Sequence, residues 1–421
     1  MKNVLFITYF WPPSGKASLH WPLFIIKHLP KHDWKPSVLT VDEDSFSHTD
    51  ESLLSEIDKN IKVVKTAANE PFNLYRKFLG KKSDTPLIAS ETISLSNTNW
   101  KHKLAIWIRM NLFVPDARIG WTFSAVTGGK KLIESERPDA IISIGPPHSS
   151  HLIGKRLSKK FNIPHIPVLI DPWVDIVYYK DFKRSAPTLA LDRYFERSTL
   201  RHAAQIIFVT QSSRDEYVKK YPWLEEKSHV LYWGYNEESF HGYIPKSVPA
   251  TEILLHAGNI FDYQNPKALW ATLQKEIRNG RNLKIVFIGT VSPGIRQSIT
   301  EAGLSDRTEF KGFLPYHKMI EELSAASYVM VCATEKRHVP GKLFEYLRSG
   351  KPILAFGDDN KEIQRILDEI NAGMIFPYTS NAQEFFDRVQ NFQTNINVVR
   401  QFDRKEIAGM LAKILSRAVS R

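Results

Sequence analysis

The chain has 421 residues, 43% of them hydrophobic and 24% charged, a soluble globular composition that excludes collagen-like and disordered classes and suits two domains of roughly 200 residues each. Its formal net charge of +12 implies attraction to polyanions: nucleic acid, anionic lipid or phosphorylated small molecules. Cys332 is the single cysteine, which excludes an intramolecular disulfide or a multi-cysteine zinc site and points to a reducing cytoplasm; no window holds the roughly 18 uninterrupted apolar residues of a membrane span.

Val4-Leu5-Phe6-Ile7-Thr8 opens the chain as a β-rich apolar run. Trp11-Pro12-Pro13 follows where a signal peptide would need more apolar length and a small-residue cleavage site, so the run reads as a first strand. Similar runs recur at 36–41, 61–66, 140–145, 163–171, 205–210 and 229–234, with helix-compatible stretches between several of them. That alternation predicts a parallel sheet with crossover helices. After a polar, proline-containing segment at 242–251 the rhythm restarts at 253–258, 283–289, 309–313, 328–333, 352–356 and 373–377, which predicts a second doubly wound domain. The apolar setting of Cys332, after Val329, Met330 and Val331, reads as one of these buried strands.

The expected fold is α/β, with Rossmann-like domains at 1–245 and 246–400 facing an interdomain cleft. A carboxyl-terminal helix within 401–421, with Ile407, Met410, Leu411 and Ile414 on one face, is expected to pack back across the domains. The exception to the rhythm is 67–118, long and without clear strands. Inside it, Trp100, Leu104, Trp107 and Ile108 share one helical face, with Lys101, His102, Lys103 and Arg109 around them. Segment 98–113 therefore reads either as an interfacial helix on anionic lipid or as a helix packed on its own domain with a solvated basic face.

Several strands end directly in glycine or proline, and in open α/β sheets ligands bind at those carboxyl edges. Past the first strand, Pro12-Pro13-Ser14-Gly15 is a loop in which Gly15 would let backbone approach a phosphate or sugar; it is also how a strand simply ends. Gly145-Pro146-Pro147-His148-Ser149-Ser150-His151 gathers two histidines and hydroxyls beyond a strand, and His148 reads as a group for hydrogen bonding a sugar or for proton transfer. If Ser149 opens the next helix, it is an N-cap and His151 lies within that helix. Asp171, directly after Val168-Leu169-Ile170, invites a binding or acid–base role, or caps the turn that follows.

In the second half, Val339-Pro340-Gly341-Lys342-Leu343-Phe344-Glu345 reads as a loop entering a helix. Free N–H groups, the positive end of the helix dipole and the Lys342 ammonium together suit a diphosphate. Glu345, one turn in, could hold a ribose diol, or is a first-turn glutamate favoured by the dipole.

Taken in order, Phe6-Ile7-Thr8-Tyr9-Phe10-Trp11-Pro12-Pro13, Val114-Pro115-Asp116-Ala117-Arg118-Ile119-Gly120-Trp121, Gly145-Pro146-Pro147-His148-Ser149, Asp171-Pro172-Trp173 and Gly341-Lys342-Leu343-Phe344-Glu345-Tyr346-Leu347 resemble the retaining nucleotide-sugar glycosyltransferases of family 4, in the GT-B superfamily. The resemblance covers essentially the whole chain. It implies that 246–400 binds the nucleotide-sugar donor, UDP-linked because this base is common in the family, with Glu345 on the ribose, Lys342 and Gly341 near the diphosphate, backbone around Phe313 and Leu314 near the base, and Gly258 and Asn259 nearby. The amino-terminal domain, with Gly15 and His148, would face the diphosphate, the transferred sugar and a saccharide or lipid-linked acceptor.

The resemblance further implies a retaining, same-face reaction with His148, Asp171 and Lys342 as the catalytic candidates, no metal and no other cofactor, and a place in surface-polysaccharide or glycolipid assembly. The enzyme would be cytoplasmic, peripheral at the inner face of the plasma membrane through 98–113. No nucleic-acid partner is expected, since no recognised motif interleaves the basic residues. The family's glutamate eight positions before the ribose-binding one is Arg337 here, which reads as recognising a different or acidic sugar or contacting phosphate. Asn259 and Asn265 stand where the family has an arginine and a lysine, with Lys267 or Lys342 as substitutes, and Ile170 precedes Asp171 where relatives often have arginine. The alternatives are a catalytically weakened protein that binds nucleotide-sugar or a partner enzyme, and a GT-B-fold sugar-nucleotide epimerase.

Overall fold

The computed structural model describes residues 1–46, 49–68, 100–176, 179, 182–244 and 251–420. Two compact units emerge, one of Met1–Leu231 with Ala408–Arg421, the other Tyr232–Ile407. Residues 232–244, read from the sequence with the first domain, thus belong with the second unit, where Tyr235 and Phe240 join its core.

The first unit is built on seven strands: β1 (Lys2–Ile7), β2 (Trp34–Val41), β3 (Lys62–Thr66), β4 (Ala140–Gly145), β5 (His165–Leu169), β6 (Ile206–Phe208) and β7 (Ser228–Val230). Every ladder is parallel and the spatial order is β3-β2-β1-β4-β5-β6-β7. Parallel strands need covering on both faces, which is why β1 and β4 are near-continuous apolar runs rather than alternating ones. The order reverses between β1 and β4, where neighbouring crossovers depart to opposite faces and leave a crevice at the carboxyl ends.

The second unit repeats the plan with β8 (Glu252–Ala257), β9 (Leu283–Ile288), β10 (Thr308–Phe310), β11 (Tyr328–Cys332), β12 (Ile353–Phe356) and β13 (Gly373–Phe376), all parallel, in the order β10-β9-β8-β11-β12-β13. Strand periodicity of two divides its core cleanly. Leu255, Val286, Val329, Val331, Ile353 and Ala355 fill one face, while Leu254, Ile285, Phe287, Met330, Cys332 and Leu354 fill the other. Cys332 is free and buried, as the sequence predicts, and burial pushes its thiol up to about 12. Here the order reverses between β8 and β11.

The last helix spans Arg404–Val419 and buries Ile407, Leu411 and Ile414, but Met410 is 37% exposed. At 100° per residue, positions 407, 411, 414 and 418 form the inward stripe and 410 falls off its edge, so Ala418 rather than Met410 completes it. The expected segment 98–113 contains the helix Trp100–Leu112, while 98 and 99 lie outside the described residues, as does 69–97 of the long region without strands. Among its described side chains Met110 and Asn111 are buried, Ile108 is half-buried, and Leu104 and Trp107 are exposed. Among the described residues no helix is long and apolar enough to cross a membrane.

Candidate active site

Each reversal in strand order carries one cluster of the predicted residues. In the first unit, Gly145 ends β4 and His148 caps the helix Ser149–Phe161 positionally, without a side-chain capping bond. Ser149 is therefore the first helical residue and not the N-cap, and His151 lies inside the helix. The capping function comes from elsewhere in the chain: Asp116 accepts hydrogen bonds from Ser149 N at 2.9 Å and Ser149 Oγ at 2.7 Å. A carboxylate placed at a helix amino terminus meets both free N–H groups and the dipole. Burial pushes the Asp116 carboxyl up, the Ser149 and Arg118 contacts opposing it.

His148 is buried and its ring stacks on Trp173 at 5.0 Å and 7°. Neither ring nitrogen makes a well-formed hydrogen bond among the described residues. Burial drives its pKa down to about 3, the Pro172 backbone offsetting only part of the effect. The ring is thus neutral at physiological pH, an arrangement for donating or accepting a hydrogen bond rather than for storing a proton. His151, one turn on, bonds Ser143 Oγ at 2.8 Å, and the same hydroxyl meets His165 Nε2 at 2.7 Å. Gly145 is required where it stands, since a Cβ there would lie 2.5 Å from His151 Nε2 and 2.8 Å from His148 Nδ1.

Asp171 sits just beyond β5, half-buried and engaged with its surroundings. The loop it begins is held from below by two carboxylates on the helix Ala186–His202. Trp173 Nε1 donates to Asp192 at 2.8 Å, and Asp192 accepts from Arg184 at 2.6 Å. Fully buried Glu196 accepts from Tyr217 Oη at 2.8 Å, Lys220 Nζ at 2.8 Å, Tyr221 Oη at 2.9 Å and Val174 N at 3.3 Å. Trp173 N in turn donates to Tyr217 Oη at 2.8 Å. The network fixes the Trp173 ring, and Trp173 fixes His148. Gly15 lies in the loop after β1, half-buried, beside Ser14, whose backbone bridges to Thr49.

In the second unit, β8 ends at Ala257, directly before Gly258, and the helix Lys342–Ser349 starts close by: a Cβ on Gly258 would stand 2.5 Å from Lys342 Nζ. Gly258 also has φ +111°, where L side chains are strained. Burial lowers the Lys342 pKa to about 8, against the opposing pull of Cys332 and Glu345. The helix start offers fewer free N–H groups than the sequence suggests, because Leu343 N and Phe344 N close back on the carbonyls of Pro340 and Gly341 at 2.9 and 3.2 Å. Gly341 N and Lys342 N have no internal acceptor among the described residues. Glu345 is half-buried, accepts from Tyr316 Oη at 3.1 Å, and is raised by burial with Arg404, Tyr316 and Lys342 opposing.

Arg337 is buried and makes a two-pronged pair with Glu335, at 3.1 Å through Nε and 3.0 Å through Nη2. Arg337 is thus already paired with a carboxylate two residues away. The two asparagines are likewise engaged locally. Asn259 Oδ1 accepts from Thr290 N at 3.0 Å, and Asn265 bridges Ser298 Oγ and Trp270 Nε1 at 2.9 and 2.8 Å. Lys267 is exposed at the start of its own helix, and the Lys342 ammonium stands beside Gly258. Phe313 is 86% exposed in the loop past β10, while Leu314 packs against the core.

Residues 94–239 match the family model described as Glycosyltransferase Family 4, and residues 251–395 match the one described as Glycosyl transferases group 1. The chain is a family-4-like glycosyltransferase. Its two parallel sheets are those of the GT-B fold, and solved GT-B structures superpose over almost the entire chain. Sucrose-phosphate synthase from Thermosynechococcus elongatus is 14% identical, covering 98% of each chain with a TM-score of 0.63. HepE from Anabaena, solved with UDP and glucose, is 16% identical, covering 99% of this chain and 100% of its own with a TM-score of 0.61. A glycosyltransferase from Rickettsia africae is 13% identical, covering 100% of this chain and 99% of its own with a TM-score of 0.62. At such identities the likeness is one of fold. Among curated proteins none matches this glycosyltransferase in sequence.

Proposed function

We propose that this glycosyltransferase moves a sugar from a UDP-linked donor to a saccharide or lipid-linked acceptor with retention, in the assembly of a surface polysaccharide or glycolipid. The observation that carries the reading is the pairing, at the reversal point of the second sheet, of the Lys342 ammonium with Gly258 and of the Glu345 carboxylate one turn along the same helix. Lys342 and the adjoining N–H groups would meet the diphosphate, Glu345 the ribose diol, and the loop at Phe313 and Leu314 the base. Fixed positive charge would stabilise the leaving diphosphate as the glycosidic bond breaks, without a metal or other cofactor. The neutral His148 ring would hydrogen-bond the transferred sugar, with Asp171 and Gly15 beside the reacting groups.

UDP is favoured as the base carrier because HepE, of like fold, is solved with UDP and glucose. The enzyme would act in the cytoplasm, and peripheral attachment to an anionic membrane is supported by the exposed Leu104 and Trp107 on a helix that also carries exposed Lys103. The local engagement of Asn259, Asn265 and Arg337 favours a second reading, a protein that binds donor without turnover. Product analysis with UDP-sugars, with and without a panel of saccharide and lipid-linked acceptors, separates these. The proposal expects a glycosylated acceptor with the anomeric configuration of the donor. An altered sugar nucleotide from donor alone would make the protein an epimerase, and no product under any condition would favour the binding protein.

A further inference from the structure

His256 stands at the end of β8, fully enclosed, two residues before Gly258. The ladder between β8 and β11 pairs Tyr328 with Leu254 and Val329 with Leu255. One step beyond it, His256 Nδ1 lies 2.9 Å from the carbonyl oxygen of Met330 on β11. A carbonyl only accepts, so Nδ1 carries the proton. Burial first, with Lys342 adding to it, holds the ring well below its usual range, against the opposing backbone contacts of Met330, Asn259 and Gly258. Nε2 is then a lone pair, and it faces Lys342 Nζ at 3.4 Å. A neutral acceptor thus sits against the ammonium that also approaches Gly258.

We infer that His256 is a positioning residue of the donor site: fixed by Met330 in the tautomer that leaves Nε2 as an acceptor, it holds the Lys342 ammonium beside Gly258, where it meets the diphosphate. This rests on the donor-site reading given above. A lysine stem has four rotatable carbons, and one fixed acceptor removes much of that freedom before the ligand arrives. The other titratable groups facing the ammonium are Cys332 on β11, Glu345 on the same helix and His338 in the loop between. Cys332 is held in its thiol form by burial, so His256 is the uncharged acceptor in hydrogen-bonding range.

The two ring nitrogens can be tested separately. His256→Asn places an amide where Nδ1 stands, keeping the Met330 carbonyl satisfied while removing the acceptor for Lys342; His256→Gln places an amide where Nε2 stands. The experiment pairs nitrogen NMR of the lysine side chains with calorimetric titration of UDP and of uridine into the full chain. In His256→Asn the Lys342 resonance and its titration midpoint should shift, UDP affinity should fall about tenfold, and uridine affinity should stay unchanged. His256→Gln should recover most of the UDP affinity. An unmoved Lys342 resonance in a folded His256→Asn protein overturns the positioning role whatever UDP does. A moved resonance with unchanged UDP affinity shows instead that the donor-site reading fails, and the role proposed for the pair falls with it.

Discussion

Replacing Lys342 by Met should lower the rate of sugar transfer by about 10²- to 10³-fold, the loss typical of removing one preorganised charge stabiliser from a developing anion. The methionine chain is of similar length and apolar, so the helix Lys342–Ser349 should keep its place while the charge beside Gly258 disappears. The same residue sets a pH dependence. With the free-protein pKa lowered to about 8, the ammonium is charged well below that pH, half-lost at it and lost above it. An anionic diphosphate binds the charged form, so UDP affinity should be level below pH 8 and should weaken as pH rises through it, by up to about tenfold per pH unit. Titrations between pH 6 and 10 check this, and Lys342→Met should flatten the profile. A profile that keeps its high-pH limb in the variant would assign the titration to another group.

The second large effect concerns stability. Glu196→Ala should destabilise the first unit by about 3–5 kcal/mol, because it removes a fully buried carboxylate and leaves Tyr217 Oη, Tyr221 Oη and Lys220 Nζ without their common acceptor. Glu196→Gln, which keeps an acceptor oxygen but not the charge, should cost less. Activity should fall further than stability alone explains, since Tyr217 also anchors Trp173 N and Trp173 stacks on His148. Chemical unfolding curves at 25 °C together with initial rates measure both parts. A destabilisation below about 1 kcal/mol would mean that solvent replaces these contacts readily, contrary to the burial of Glu196.

These two predictions differ in how visible their residues were in the sequence. The thirteen strands among the described residues lie within a few residues of the runs read from apolar, β-branched periodicity, because parallel strands covered on both faces need such runs. Lys342 and Glu345 stood out through their place just after Gly341. Glu196 did not: a glutamate among Arg193, Arg197 and Arg201 reads as part of a solvated helix face, and only the spacing of Tyr217, Lys220 and Tyr221 at i, i+3 and i+4 hints at a shared acceptor. Asp116 lies inside a stretch that carries the family resemblance, but its capping of Ser149 joins residues 33 apart, beyond any local signal. His256 was hidden by its strand, where a histidine reads as a core residue until Met330 fixes its tautomer. The asparagines at 259 and 265 read as an altered binding clamp, and only the structure shows their amides bonded within their own unit.

Calorimetric titration of wild-type protein and Glu345→Ala with UDP, GDP and a panel of their sugar conjugates locates the donor site. Uridine diphosphate compounds should bind the wild type, and this binding should be lost in the variant, whose missing carboxylate would hold the ribose from the helix that carries Lys342. Absence of binding to every compound, or binding untouched by Glu345→Ala, would contradict the placement of a nucleotide-sugar donor on this helix.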